Sequence, residues 1–117
     1  MYTIRPIAPF TKNLKKLKKK YPKIKNDLSP LIENLEQGFF EGDKLQGFEG
    51  KNVYKARVPS TDQKKGKSGG FRLLYYVVTD DNNIFLLFLY AKVLQSNPTP
   101  EQIKEFKKAI EELTKII

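Results

Sequence analysis

The stretch FRLLYYVVTDDNNIFLLFLYA, residues 71–91, decides the fold of this chain. It holds two nearly continuous apolar runs, residues 71–79 and 84–91, joined by the polar turn DDNN at residues 80–83. Short apolar runs rich in β-branched and aromatic residues are typical of strands buried on both faces. A polar turn between two such runs favours a β-hairpin. We therefore predict that the two runs form the centre of an antiparallel sheet.

Two further segments have the character of strands. In VYKARV, residues 53–58, apolar and basic side chains alternate, so Lys55 and Arg57 share one face of the strand. In YTIRPI, residues 2–7, Pro6 cannot donate a hydrogen bond to a neighbouring strand, so we predict an edge strand.

Two helices are predicted between these strands, and they form a hairpin. The first spans residues 9–20, with one apolar stripe opposite its lysines, and it ends before Pro22. The stripe consists of Phe10, Leu14, Leu17 and Tyr21. The second begins at Asn26 or at Ser29-Pro30, because Asn and Ser are good N-cap residues and Pro is favoured in the first turn, and Gly38 ends it.

The clearest helix start lies near the end of the sequence. Thr99 is followed by Pro100 and Gln102, which is the pattern of an N-cap, a proline at the first helical position and a capping box. The apolar positions of this last helix share one face: Ile103, Phe106, Ile110, Leu113 and Ile117.

The predicted order is β-α-α-β-β-β-α. It indicates an α+β fold in which a small, mostly antiparallel sheet packs against an N-terminal helical hairpin and a C-terminal helix. Residues 38–52 and 59–70 are predicted loops. The 117 residues match the size of one domain, residues 1–117.

The formal charge of +9 is unevenly distributed. Residues 1–25 carry nine basic side chains and no acidic ones, and residues 51–79 carry seven basic and one acidic. Clustered cations bind polyanions well, because counterions are released from the phosphates. The alternative interpretation is a solvated lysine surface that keeps the protein soluble.

The composition also excludes several kinds of chemistry. The chain has no Cys and no His, so a thiol nucleophile, an imidazole base and the usual zinc sites are excluded. No apolar run approaches the roughly 20 residues of a membrane helix, and no secretory signal is recognisable. We expect a cytoplasmic protein without membrane contact, metal or cofactor.

Three cations lie where the predicted strands end and are expected to converge, namely Arg57, Arg72 and Lys92, and Lys55 shares a strand face with Arg57. In a meander these ends are adjacent, and the loop that carries Lys64, Lys65 and Lys67 hangs above them. Such a cluster suits an RNA backbone, because Arg binds phosphate oxygens bidentately and stabilises the charge of a transition state. RNA supplies its own nucleophile, the 2′-OH, so neither a protein nucleophile nor a metal is required.

Each of these cations also has a purely structural interpretation. Lys55 and Arg57 could be solvent-facing residues of a half-exposed strand, and Lys92 an ordinary strand-end lysine. Arg72 interrupts an apolar strand, and its alternative is a salt bridge to an acid within residues 26–50. The tyrosines of the two central strands, Tyr90 included, could simply be core aromatics.

The segments VYKARV, KGKSGGFRLLYYV and FLLFLYAK together resemble the RelE/HigB-like toxins of bacterial type II toxin–antitoxin modules. The resemblance implies a RelE-like fold and a ribosome-dependent mRNA endonuclease, an mRNA interferase that inhibits translation. It also implies cleavage by 2′-OH attack, which leaves a 2′,3′-cyclic phosphate and a 5′-OH.

The resemblance assigns a role to each matching residue. Lys55 and Arg57 would bind phosphate or assist proton transfer, Arg72 would stabilise the transition state, and Lys92 would protonate the leaving oxygen or bind phosphate. Lys64, Lys65, Lys67 and Tyr90 would hold the RNA. The C-terminal Tyr of some family members has no counterpart here, since no Tyr follows Tyr90.

The implied partners are a cognate antitoxin, mRNA in the ribosomal A site and, through the antitoxin, operator DNA. Two other functions remain open at this point. One is a ParE-like toxin that acts on gyrase without nuclease activity, and the other is a non-catalytic basic RNA-binding protein.

Overall fold

A computed structural model describes residues 1–63 and 69–115 of the chain. The elements, in chain order, are β1 (Thr3–Pro6), α1 (Ala8–Lys20), α2 (Ile24–Glu36), β2 (Asp43–Lys44), β3 (Val53–Val58), β4 (Phe71–Val78), β5 (Asn83–Ala91) and α3 (Pro100–Lys115). This order confirms the predicted α+β fold, with one addition: the two-residue β2 lies within the predicted loop 38–52. Among the described residues, no helix is long and apolar enough to cross a membrane.

The five strands form one sheet in the order β1-β5-β4-β3-β2. The pairs β2–β3, β3–β4 and β4–β5 are antiparallel, and β1 lies parallel to β5 at one edge. The sheet is therefore mostly antiparallel, as predicted, and Pro6 lies in an edge strand where its missing N–H costs no ladder hydrogen bond.

The central hairpin contains a β-bulge. The register of β4 and β5 shifts between Leu74, which faces Phe88, and Tyr75, which faces Leu86. One residue of β5 is thus left without a partner in β4, the arrangement that defines a bulge. Because side chains alternate along a strand, this one-residue shift determines which residues of β5 lie opposite the first half of β4, from Phe71 to Leu74.

Each face of the sheet has its own core. One face is covered by the helical hairpin of α1 and α2, and we call it the hairpin face. Its buried strand residues include Ala56, Val58, Phe71, Leu73, Tyr75 and Val77. The α3 face is covered by α3, whose Phe106 and Ile110 pack with Val53, Leu74, Tyr76, Leu87 and Phe88. Lys55, Arg57 and Arg72 alternate with the hairpin-face residues, so they belong to the α3 face.

The helix starts show where local signals succeed. α1 packs Phe10, Leu14, Leu17 and Tyr21 against the sheet as predicted. At α3, the Gln102 backbone N–H donates to Thr99 Oγ1 at 3.1 Å, and the Thr99 backbone N–H donates to Gln102 Oε1 at 2.8 Å. These two bonds are the reciprocal capping box. The last predicted apolar position, Ile117, lies outside the described residues.

The predicted start of α2 was wrong. The helix begins at Ile24 rather than at Asn26 or Ser29, and Pro30 lies inside it. Ile24 is fully buried, and the backbone N–H of Lys23 donates to Asp62 Oδ2 at 2.9 Å. A carboxylate distant in sequence therefore stabilises this helix N-terminus, and the burial of Ile24 in the core favours its place in the first turn.

Candidate functional site

The predicted cations line one groove at the end of the α3 face, which α3 leaves uncovered. The groove has a volume of about 450 Å³. Its lining residues are Glu41, Gly42, Asp43, Lys55, Arg57, Arg72 and Lys92. We call it the cation groove. The structure thus brings together all four residues predicted as catalytic, from β3, from β4 and from the position just after β5.

The strand register places two of these cations and one tyrosine in a row across the sheet. Arg57 on β3 faces Arg72 on β4, and Arg72 in turn faces Tyr90 on β5. Side chains directly opposite in an antiparallel pair have Cβ atoms about 4.5–5.5 Å apart, and like charges at that separation destabilise the sheet. The row therefore concentrates positive charge at the cost of some stability.

Arg72 is the centre of the groove. It is only 6% exposed and is the one charged residue among the described ones that is buried. Its Nη1 donates to the carbonyl oxygens of Gly69 and Phe71, both at 3.1 Å. Within residues 1–63 and 69–115, no carboxylate lies within ion-pair distance of it, so the predicted alternative of a salt bridge is not what the structure shows. Buried charges are usually paired, and the partners that the described residues offer this one are backbone carbonyls.

Lys92 and Tyr90 share one backbone acceptor. The Lys92 Nζ donates to the carbonyl oxygen of Ser96 at 3.1 Å, and the Tyr90 hydroxyl donates to the same oxygen at 3.4 Å. Burial raises the pKa of Tyr90, and the neighbouring Arg72 acts in the opposite direction. Because Tyr90 is only 2% exposed, its ring offers no open face for stacking and instead lies beside Arg72.

Two acidic residues in the groove were missed by the sequence analysis. Asp43 on β2 faces Lys55 on β3, and Glu41 lies just before β2. Both are exposed. Their position could have been inferred from the glycines close to them in the sequence. Glycines around a short polar segment indicate a loop, and they also indicate a place where two backbone segments come close together.

Gly42 fixes the position of these acids. Its φ is +98°, and a Cβ at this residue would lie 2.2 Å from the carbonyl oxygen of Lys55. Only glycine allows the backbone to come so close in that conformation. From the other side of the sheet, the hydroxyl of buried Tyr75 donates a hydrogen bond to the carbonyl oxygen of Glu41, and burial raises the pKa of Tyr75.

The basic loop is held where it leaves and rejoins the sheet. Asp27 Oδ2 accepts a hydrogen bond from the Thr61 backbone N–H at 3.1 Å, and Gln63 Oε1 accepts one from the Gly70 N–H at 2.8 Å. Lys64, Lys65 and Lys67, which were predicted to hold RNA, lie outside the described residues.

The groove therefore presents four cations and two carboxylates around one concave surface. An arginine that is held by backbone carbonyls, and whose other N–H groups have no partner among the described residues, is suited to bind the non-bridging oxygens of a phosphodiester. The described part of the chain contains no cluster of three or more acidic side chains that could hold a metal ion.

Comparison with known proteins identifies the fold and the family of this chain. A structure of the E. coli toxin RelE, an arginine-to-alanine double mutant in the free state, superposes with a TM-score of 0.59 over 93% of this chain and 97% of that chain, at 23% identity. No curated protein matches this sequence. The family model of the RelE toxin of the RelE/RelB toxin–antitoxin system matches residues 10–117. The chain therefore belongs to the RelE toxin family, and it is a toxin of a toxin–antitoxin system.

Proposed function

We propose that this toxin is a ribosome-dependent mRNA endonuclease and that the cation groove is its active site. The observation that carries the proposal is Arg72, a buried arginine with no carboxylate partner among the described residues, which opens onto a groove with three further cations. Membership of the RelE family supports the same function. The set of four cations favours a nuclease over a gyrase-directed toxin, because such cations stabilise the charge of a phosphoryl-transfer transition state.

Cleavage starts with the 2′-OH of the RNA. The 2′ oxygen loses its proton and attacks the adjacent phosphorus, and the P–O5′ bond breaks as the 5′ oxygen takes up a proton. The products are a 2′,3′-cyclic phosphate and a 5′-OH. The phosphorane-like transition state carries an extra negative charge, and donors already aimed at that charge lower the barrier most.

The cations of the groove have distinct positions relative to such a phosphate. Arg72 would bind its non-bridging oxygens from the floor of the groove, and exposed Arg57 would bind them from the side. Lys55 and Lys92 would bind the phosphate or transfer protons to and from the 2′ and 5′ oxygens. Because Lys92 is anchored on the Ser96 carbonyl, its ammonium has a defined position at the β5 side of the groove.

The proposed substrate is mRNA in the ribosomal A site, where the ribosome holds the RNA backbone in a conformation suited to in-line attack. An antitoxin partner follows from the family. We infer that the toxin acts in the cytoplasm and that residues 1–117 work as a single domain.

The test is a map of mRNA 5′ ends after induction of the toxin in growing cells. Arg72→Ala should reduce cuts within translated codons by about 100-fold or more, the usual effect of removing one preorganised donor. Arg5→Ala is the matched control, because Arg5 lies on edge strand β1 and bonds to Asn83. It should cut like the natural chain.

Three results would contradict the proposal. Growth arrest with intact mRNA would favour the gyrase-directed toxin, and equal cleavage by the Arg72→Ala variant would remove the active site from the cation groove. Absence of both arrest and cleavage would favour a non-catalytic RNA-binding protein. Purified translating ribosomes, rather than naked RNA, are the substrate for the parallel assay in solution.

A further inference from the structure

A second groove lies on the other side of β5, and nothing in the proposed cleavage uses it. It has a volume of about 320 Å³ and lies between α1, the end of β5 and the segment after β5. Its apolar lining includes Leu17, Leu89, Ala91 and Leu94, and Lys16 and Lys20 lie on the α1 side. We call it the α1–β5 groove.

The groove exists because β1 is shorter than its neighbour. β1 pairs with β5 only over residues 83–86, whereas β5 continues to Ala91. Beyond that point, Asn13 Oδ1 accepts a hydrogen bond from the Leu89 N–H at 3.0 Å, and the Ala91 carbonyl accepts from Leu94 and Gln95. Since side chains and a turn already occupy these ladder positions, a partner would dock through its side chains.

Two consecutive aliphatic residues are exposed in the segment after β5, and one of them, Leu94, lines the groove. Leu94 is 55% exposed, and the neighbouring Val93 is 45% exposed. Clustered exposed aliphatic side chains around a concave apolar surface indicate a protein contact. The aromatic residues that line the groove, Phe88 and Tyr90, are buried, so they offer no stacking platform of the kind that binds single-stranded RNA.

Charge selects the partner. Within the part of the chain that the structure describes, no carboxylate lines this groove, and α1 carries six lysines and no acidic residue. A second copy of the chain would bring a net charge of +9 against +9, which opposes association. An acidic segment would be attracted, and its apolar side chains would cover Leu94 and enter the groove.

We propose that the α1–β5 groove is the docking site of an acidic, apolar-studded segment of the antitoxin. The proposal rests on the family's antitoxin partner and not on the cleavage chemistry. The site is distinct from the cation groove, because the two grooves share no lining residue. An antitoxin held here leaves its remaining length available to cover the cations.

The first test uses charge reversal in the full-length complex. The probe is the co-encoded protein that purifies with the toxin as a stoichiometric complex. Lys16→Glu with Lys20→Glu should raise its Kd by about tenfold or more, because it sets like charges against an acidic segment. Lys12→Glu with Lys19→Glu is the matched control, since both lysines are exposed on α1 but do not line the groove. Its Kd should change by less than about threefold.

Equal weakening by both pairs would indicate general attraction to a basic helix and overturn the docking site, and so would no weakening by either pair. Lys20 also lies over the Tyr21 ring, 5.8 Å from its centroid. Thermal unfolding of the two double variants is therefore compared first, and the Kd values are compared at a temperature where both are folded.

The second test exploits the absence of cysteine from the chain. In a Leu94→Cys variant, the single thiol should react rapidly with a maleimide in the free toxin and about tenfold or more slowly in the antitoxin complex. Phe39→Cys is the control, because Phe39 is 64% exposed outside the groove, and its rate should not change. Protection at position 94 that depends on toxin concentration alone, or on ribosomes alone, would overturn the proposal in favour of a second copy or RNA.

Neither measurement depends on RNA cleavage. A toxin that arrests growth without cutting mRNA would still show both effects if the docking site is correct. Conversely, Arg72→Ala can abolish cleavage while Leu94 remains protected, so failure of one proposal is separable from failure of the other.

Discussion

The two faces of the sheet are built from the same strands but serve different ends. Along β4, Phe71, Leu73 and Tyr75 point to the hairpin face, where α1 and α2 bury every one of them. The alternate residues point to the α3 face, where Leu74 and Tyr76 are covered by α3 and Arg72 lies in the uncovered end. One helix covers less of a sheet than two, and the part left open is where buried charge can meet a ligand.

The comparison teaches that stability and function are separated by strand parity. A change on the hairpin face should affect folding first, whereas a change at the open end of the α3 face should affect binding and catalysis with little loss of stability. Substitutions on each face and a change of pH test this difference between the two faces.

The largest effect should come from the hairpin face. Leu73→Ala removes a fully buried side chain and should lower the free energy of unfolding by about 2–5 kcal/mol, the usual cost of a cavity in a core. Urea unfolding at constant m-value measures it. Leu94→Ala, at an exposed leucine, should cost less than about 0.5 kcal/mol. Similar costs at both positions would contradict the assignment of Leu73 to the core.

The next effect tests the clamp that brings β2 to the cation groove. Gly47→Ala should cost about 1–2 kcal/mol, since its φ of +86° is left-handed but open space surrounds it. Gly42→Ala should cost about 1–3 kcal/mol more, because the new Cβ overlaps the Lys55 carbonyl. Chemical denaturation measures both, and cleavage should fall only in the Gly42 variant. Equal costs would mean that the close approach at Gly42 is unimportant.

A third effect concerns alkaline pH. Burial raises the pKa of Tyr75, Tyr76 and Tyr90 above the ordinary value of 10.0. Above pH 10 the unfolded chain releases these protons while the folded chain retains them, so stability should fall as pH rises through that range. Unfolding free energies measured from pH 9 upward should show the decline, and Tyr75→Phe should make it shallower. A rise in stability above pH 10 would contradict the raised pKa of these tyrosines in the folded protein.

The smallest expected effect is an increase in the free energy of unfolding. Arg57→Gln removes one of two facing arginines and should raise the free energy of unfolding by about 0.2–1 kcal/mol, because like charges opposite each other destabilise a sheet. The same variant should cut less mRNA. Arg57→Lys, which keeps the charge, should leave stability unchanged. A loss of stability in the Gln variant would show that the arginine row is not repulsive.

Much of the fold followed from local patterns. The hairpin of β4 and β5, the stripe from Phe10 to Tyr21 and the capping box at Thr99 were all predicted, because each depends on neighbours in sequence. The start of α2 was not, since its N-terminus is stabilised by Asp62, and β2 was not, since two residues carry no periodicity.

The cations of the candidate site were predicted from the sequence, and its two acidic residues were not. Lys55, Arg57, Arg72 and Lys92 were identified because charged residues stand out at the ends of apolar strands, and they line one groove. Glu41 and Asp43 lie in a segment without a strand pattern. Their place beside Lys55 depends on a backbone contact that only glycine permits.

The elements, their order and the separation of apolar from basic side chains on each strand follow from local patterns, because these depend on periods of 2 and 3.6 residues. Which residues meet depends on how the elements pack. Without the bulge in β5, Arg72 would face Leu89; the one-residue shift places it beside Tyr90 instead. Register is a property of two strands together, so no single strand's pattern contains it.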